Sequence, residues 1–454
     1  MNKHKKNKRT DSSKKIYIPI IATLLFFLLV LGIYSAADSQ AIFQHSPYDS
    51  YTLQAMAWRR GETKLDQNYP YLELAILNDK YFSTHDMDDY EAYREQFGDI
   101  NAPIEHQEGN EYYVSFPVFP SIPMYILTFF FGENTPSTLV TILYTTGAFL
   151  FCILICRRFK LSYALSICGA CLICVASSAL SICANMNAGG VWFMAQSLSL
   201  LLTSASFYFI LGNKNRDYYI AFILLAFAVG CRPFQIVYFL PFAYILTKKY
   251  NFKILKTWKF YIGPAIVGGF YMWYNYIRFN NPFEFGHNYL PEFMRMPAGQ
   301  FGFEYMKDNL NNMLFHWPQF DENGLNSKWG FAFYISNVIF LVLIFALIFR
   351  TASKNKKYPV SKEFNIEAWL LGLAIAIHFI LFPMHKTLGG WQFGSRYTAD
   401  IIPAVLVLIC FIVAPVFNRK KSPKKDTLVA FYTSSALILL FGCIFNIYGS
   451  LNMF

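Results

Sequence analysis

Residues 16–36 read IYIPIIATLLFFLLVLGIYSA, a stretch without one charged side chain. At the rise of an α-helix this run is about 30 Å long, which matches the hydrocarbon core of a bilayer. Seven Lys or Arg precede it within residues 1–15. A basic leader before an apolar run also marks signal peptides. This run is long, however, and no small-residue cleavage site follows it, so it is read as a retained first helix.

Comparable runs recur along the chain. Length and periodicity predict eleven spans, near residues 16–36, 136–156, 161–183, 190–211, 217–231, 233–247, 259–278, 329–350, 366–384, 399–417 and 427–449. The predicted fold class is an all-α polytopic membrane protein of about 11 transmembrane helices with a long extracytoplasmic first loop. Residues 1–15 form a basic cytoplasmic N-terminus, and 16–454 form one transmembrane domain. The fifth and sixth spans are short, and Arg232-Pro233 between them fits either a hairpin or one broken span. Composition agrees, with 454 residues that are 55% hydrophobic, 19% aromatic and only 15% charged, where soluble domains carry about 25% charged residues.

The net charge of +11 raises the question of a nucleic-acid partner, and the placement of the charges answers it. With the N-terminus inside, residues 1–15, 157–160, 213–216, 248–259, 350–363 and 418–425 hold 27 of the 39 Lys and Arg. That distribution follows the positive-inside rule, so the basicity belongs to membrane edges and implies a bilayer, not nucleic acid. The C-terminus then falls on the outer side. The nine cysteines lie in or beside apolar segments and none lies in 37–135, which excludes a disulfide scaffold there. Cys168, Cys171 and Cys174, in the run LSICGACLICVA, read as small thiols on a helix face and not as zinc ligands.

Three outer segments exceed what connection requires: 37–135, 279–328 and 385–398. Long loops in a compact membrane protein carry sites or are disordered, and the Tyr, Phe and Pro content of 37–135 favours folded structure. In that segment Asp49 precedes Leu53, Met56, Ala57 and Arg60, which repeat at helical spacing. Its carboxylate has two readings, a helix N-cap or a general base and metal ligand at the membrane surface. The cluster His85-Asp86-Met87-Asp88-Asp89-Tyr90-Glu91 reads as a solvated acidic loop or as oxygen ligands for a divalent cation. Arg232 is a snorkelling cation or a phosphate clamp. Glu284 and His287 follow the seventh span and offer a second acid site. In the last outer turn, Lys386 and Arg396 bring positive charge to an acidic face beside Gly389 and Gly390. Arginine's forked donors suit a phosphate there.

Taken in order, these pieces resemble the GT-C superfamily of membrane glycosyltransferases over nearly the whole chain. The resemblance rests on the early Asp49 leading into Ala55, Ala57 and Gly61, and on the Tyr112-Tyr113-Val114-Ser115-Phe116-Pro117 run with Pro120. It continues through Gly189-Gly190-Val191-Trp192-Phe193 with Ala195-Gln196, then Arg232-Pro233, Asn275 to Gly286, and Gly389 to Pro403. It implies an inverting hexosyl- or pentosyltransferase in a bacterial plasma membrane. Such an enzyme moves a sugar from a polyprenyl-phosphate donor to a cell-surface glycan, lipid or protein acceptor. Asp49 or Glu73 would be the catalytic base, Arg232, Lys386, Arg396 and Tyr397 would bind the phosphate, and Trp58, Tyr113 and Trp391 would hold the sugar or the polyprenyl tail. The sequence departs from the family's paired early acids, because Ser50 follows Asp49. It also has Asn185 and Asn187 where a second acid is often found. The base therefore stays open between Asp49 and Glu73, no cofactor is fixed, and a divalent cation remains compatible. The alternative from another class is a lipid-linked glycan flippase or other transporter, which places charges within the spans facing a common cavity; these spans are nearly charge-free.

Overall fold

The fold is that of a computed structural model describing residues 3–69, 71–77, 109–294, 296–322, 324–326, 329–353, 365–418 and 423–454, with side chains from residue 17 onward and without that of residue 291. The acidic cluster at 85–91 lies outside the described residues. The chain is about 70% helical with almost no sheet. Helices α1 (Lys3–Ala37), α2 (Ser50–Arg59), α3 (Ser121–Phe131), α4 (Ser137–Arg158), α5 (Tyr163–Cys174), α6 (Ser178–Cys183), α7 (Val191–Ile210), α8 (Asn215–Val229) and α9 (Phe239–Lys249) make its first half. The second half holds α10 (Ile262–Phe279), α11 (Met306–Phe315), α12 (Ile339–Ala352), α13 (Ile366–Leu381), α14 (Ile402–Phe417) and α15 (Lys425–Leu451).

By length and composition, five helical stretches among the described residues suffice to cross a membrane: Tyr17–Ala37, Ser137–Arg158, Val191–Ile210, Ile366–Met384 and Lys425–Leu451. Helices α5, α12 and α14 are apolar but shorter.

Helix α7 is the centre of the bundle. Its apolar window is 83% buried, against 11% for α15, whose Leu437, Leu440 and Ile444 face outward. Small polar residues make that central position possible. Between apolar helices there is no hydrophobic drive, so close approach and interhelical hydrogen bonds do the work. Thr145 on α4 donates to Ser197 on α7 at 3.2 Å, and Thr203 donates to Gln235 Oε1 at 2.9 Å. Cys152 Sγ meets Ser204 Oγ at 3.8 Å.

The region between the fifth and sixth spans is a hairpin. After α8 the chain turns through Gly230 to Arg232 and re-enters by a 3₁₀ turn starting at Pro233, whose fixed φ suits a first helical position. Phe222 packs on both Phe239 and Phe242, and at the far end Tyr250 donates to Asn215 Oδ1 at 3.0 Å. The third predicted span is divided. Helix α5 ends at Cys174 and α6 restarts at Ser178, where Asn337 Oδ1 accepts from the Ser178 N–H at 3.2 Å and from its hydroxyl at 2.9 Å.

Segment 37–135 is folded where it is described. Helix α2 packs on α3, and Arg59 lies 4.9 Å over the Phe129 ring while donating to the Thr128 carbonyl at 2.7 Å. Strands β1 (Leu74–Leu77) and β2 (Glu111–Val114) pair antiparallel, with Leu74 opposite Val114 and Leu77 opposite Glu111. Buried Arg278 at the end of α10 holds this pair, donating to the Val114 carbonyl at 2.9 Å between the rings of Tyr274 and Phe279.

The turn before α14 depends on glycine at one point. Gly394 has φ +74°, and an added Cβ would overlap the Ser336 side chain. Gly394→Ala is therefore expected to destabilise by at least about 1–2 kcal/mol, the cost of the left-handed conformation alone. A lowered thermal midpoint in detergent checks this; an unchanged midpoint would contradict it.

Candidate functional site

All three outer segments singled out in the sequence meet at one cavity of about 690 Å3. Tyr48, Tyr51, Glu73 and Phe116 come from the first, His287, Glu292, Phe293 and Gln300 from the second, and His385, Trp391, Arg396 and Tyr397 from the third. The start of α7 and the α8–α9 turn complete the wall with Trp192, Phe193 and Arg232. The lining is largely aromatic with a few convergent charges, the usual make-up of a small-molecule site.

Glu73 lies just ahead of β1. Its carbonyl accepts from Ser115 Oγ at 2.6 Å, which ties it to the end of β2. Its Oε2 accepts from the indole N–H of Trp192 at 2.8 Å. Burial raises its pKa to about 7, the Trp192 hydrogen bond opposes that rise, the nearby Glu292 charge adds to it, and Arg396 opposes it. A half-buried carboxylate at about 7 is poised to exchange a proton at neutral pH.

Two guanidinium groups in the cavity lining lie against one ring. Arg232 and Arg396 place their guanidinium carbons 4.7 and 5.5 Å from the centroid of Tyr397. Their charges are committed differently. Arg232 pairs with Asp400, its Nε at 3.0 Å and its Nη2 at 2.9 Å from Oδ2. Asp400 is 2% exposed, so this is a buried ion pair and not a snorkelling cation. Arg396 has no carboxylate partner among the described residues. Its Nε donates to the Gly389 carbonyl at 2.7 Å and one Nη donates to Gln196 Oε1 at 3.3 Å. Leu388, Gly389 and Gly390 all have positive φ, which curls the chain so that the Gly389 carbonyl reaches Arg396. A Cβ at Gly389 would meet the Gln392 amide at 2.9 Å.

Three sequence-predicted residues, Asp49, Glu284 and Lys386, lie away from the cavity. Asp49 is fully buried at the N-cap of α2 and does not line the cavity. Its Oδ1 accepts from the Tyr51 and Thr52 N–H groups at 3.1 and 3.0 Å, and its Oδ2 accepts from Thr52 Oγ1 at 2.5 Å. Asp49 is thus placed as the cap of α2, with His45 Nδ1 a further 3.7 Å from its Oδ2. Glu284 and His287 do not share a site. Glu284 closes its own turn by accepting from the Gly286 N–H at 2.6 Å and from Asn288 at 2.7 Å, whereas His287 faces the cavity. Lys386 lies behind the wall, its ammonium donating to the Glu292 carbonyl.

Two cavity residues carry chemistry that the sequence reading gave no role. Glu292 is a second carboxylate, its pKa raised by burial, with no hydrogen bond to its side chain among the described residues. His385 touches Gln300, Thr387 and Tyr397. The available signal was ionisable residues inside strongly aromatic outer segments. Among the described residues no group of three or more His, Cys, Asp or Glu gathers to hold a metal ion.

Because Asp49 acts as a cap, Asp49→Ala is expected to cost about 1 kcal/mol of stability. Asp49→Asn, which can also cap, is expected to melt close to wild type. Equal losses in both would show that the carboxylate charge itself is required. No known protein family, no curated protein and no solved structure matches this chain.

Proposed function

We propose that this protein is a membrane glycosyltransferase that transfers a sugar from a polyprenyl-phosphate donor to a cell-surface acceptor hydroxyl at the outer face of a bacterial plasma membrane. One observation carries the reading: Glu73, with a pKa near 7, and Arg396, without a carboxylate counter-ion, face the same aromatic-walled cavity.

In this reading the chain crosses the membrane eleven times, through α1, α4, α5 with α6, α7, α8, α9, α10, α12, α13, α14 and α15. The lining residues lie where α7 begins and α8 ends, while Lys214 and Arg216 lie at the opposite ends of those two helices. The positive-inside rule then puts the cavity on the outer side.

Glu73 accepts the proton of the acceptor hydroxyl as that oxygen bonds to the anomeric carbon. The bond from that carbon to the phosphate oxygen breaks, and its electron pair leaves with the polyprenyl phosphate. Arg396 meets the charge that develops there, and Arg232, held by Asp400, adds a second positive edge. Such donors gain strength where water is excluded. Trp192 and Trp391 supply flat faces for a sugar ring, and the exposed apolar helices supply the lipid setting for a polyprenyl tail.

Glu73→Gln is expected to lower transfer by about 10²–10⁴-fold and Arg396→Ala by about 10²–10³-fold. Both are to be measured in membranes of cells lacking the endogenous protein, by profiling surface glycans and accumulated polyprenyl-phosphate sugar. Rescue by Glu73→Gln together with loss in Asp49→Asn would move the base to Asp49. Normal glycans in cells without the protein would end the transferase reading.

The pH dependence follows from the direction of the Glu73 shift. The base works as the carboxylate, so transfer should rise with pH through about 7 and fall as acid protonates Glu73. Trp192→Phe removes a hydrogen bond that favours the charged form, so its midpoint should move to higher pH. A midpoint that stays in place would separate Glu73 from the rate-limiting proton transfer.

A further inference from the structure

We propose that the turn between α9 and α10, residues 250–260, docks on anionic phospholipid headgroups, its lysines meeting phosphate and its apolar side chains entering the acyl layer. The proposal takes from the topology above only that α9 and α10 are spans, and it is independent of the chemistry in the cavity.

The turn reads Tyr250-Asn251-Phe252-Lys253-Ile254-Leu255-Lys256-Thr257-Trp258-Lys259-Phe260, a pattern that repeats every three residues. Its backbone makes 3₁₀ turns at Ile254–Lys256 and Trp258–Phe260. At three residues per turn, such a repeat draws side chains into columns. Phe252, Leu255 and Trp258 make one column, and Lys253, Lys256 and Lys259 make the next. The third column faces the protein: Thr257 and Phe260 are buried, with the Phe260 ring against those of Tyr219 and Tyr250. Thr257 closes its turn by donating from its N–H and its hydroxyl to the Ile254 carbonyl, at 2.9 and 2.7 Å. The segment is fastened along one edge and presents the other two outward.

Leu255 is 89% exposed, Trp258 64% and Phe252 58%. Large apolar side chains held out by a fastened backbone mark an interaction surface. Charge and position say what covers it. None of the three lysines has a carboxylate partner among the described residues, and no Asp or Glu occurs between Asp217 and Glu284. Lys248, just ahead of the turn, is by contrast paired with Glu367. The turn joins the far ends of α9 and α10, whose near ends adjoin Phe234 and Phe285 of the cavity lining, so it stands at the opposite membrane edge from the cavity. At such an edge an indole lies at headgroup depth, and lysine stems lie along apolar surface with their ammonium groups in the headgroup layer. Uncompensated lysines there favour an anionic headgroup over a zwitterionic one, by about fivefold in affinity for each.

The test is titration of the full chain in detergent micelles with phosphatidylglycerol or phosphatidylcholine, each carrying a nitroxide on its acyl chain, read as quenching of Trp258. Trp258→Phe supplies the signal of the other tryptophans. Phosphatidylglycerol should quench wild type at lower concentration than phosphatidylcholine. Lys253→Gln, Lys256→Gln and Lys259→Gln combined should weaken phosphatidylglycerol by about 10²-fold and leave phosphatidylcholine unchanged. Lys424→Gln with Lys425→Gln, at the start of α15, should leave the preference intact. All five lysines are exposed, so the variants should melt with wild type. Equal quenching by both lipids in wild type would overturn the proposal and leave an acidic protein segment as the partner of these lysines. A preference that survives the triple variant, or one lost equally in the Lys424 and Lys425 variant, would overturn it as well. None of these outcomes involves the cavity, so the transferase reading stands or falls separately.

Discussion

The ion pair between Arg232 and Asp400 is the interaction on which the rest of the site depends. It joins the turn between α8 and α9 to the head of α14, two places 168 residues apart. Asp400 is buried and the Arg232 side chain is 23% exposed, so the carboxylate bears most of the desolvation cost before their attraction is counted. The backbone beside it is tied down as well: the Asp400 carbonyl accepts from Gln235 at 3.1 Å and from Tyr238 at 2.9 Å. Neutralised in this way, Arg232 supports the cavity wall without dominating its charge. Arg396, the neighbour without a counter-ion among the described residues, is left to set the electrostatic character of the space. Both guanidiniums lie against the Tyr397 ring.

The aromatic lining and the charges perform distinct tasks. Flat rings exclude water and shape the space, and the low dielectric they create magnifies each remaining charge. Glu73 shows the effect: the burial that makes its carboxylate reluctant to ionise is offset by one indole hydrogen bond and one distant guanidinium. Glu292 adds a second negative group on the same wall. Arg396 and the two carboxylates therefore bring opposite charges to one aromatic space.

Much of this was legible in the sequence because apolar length and charge placement are local signals. The helical character, the long first outer segment and the three stretches that meet at the cavity can be read from composition along the chain. Arg396, Arg232 and His287 stand out as polar groups at the edge of an apolar or aromatic run, whereas Glu73 and Tyr397 came through the family resemblance; all five line the cavity. The departures all depend on distant partners. Asp49 was ambiguous by spacing, and only the three donors converging on its carboxylate decide for a cap. Glu284 and His287, three residues apart, diverge because Gly286 turns the chain between them. The break between α5 and α6 is stabilised by Asn337, more than 150 residues away. Glu292 and His385 acquire meaning only from what stands opposite them.

The separation between Arg232 and Asp400 also bears on how the chain is made. Membrane proteins are synthesised from the N-terminus, and helices enter the bilayer in order. In a chain made in that order Arg232 precedes its counter-ion by 168 residues, so the pair, and the stretch of cavity wall it joins, can form only once Asp400 has been made.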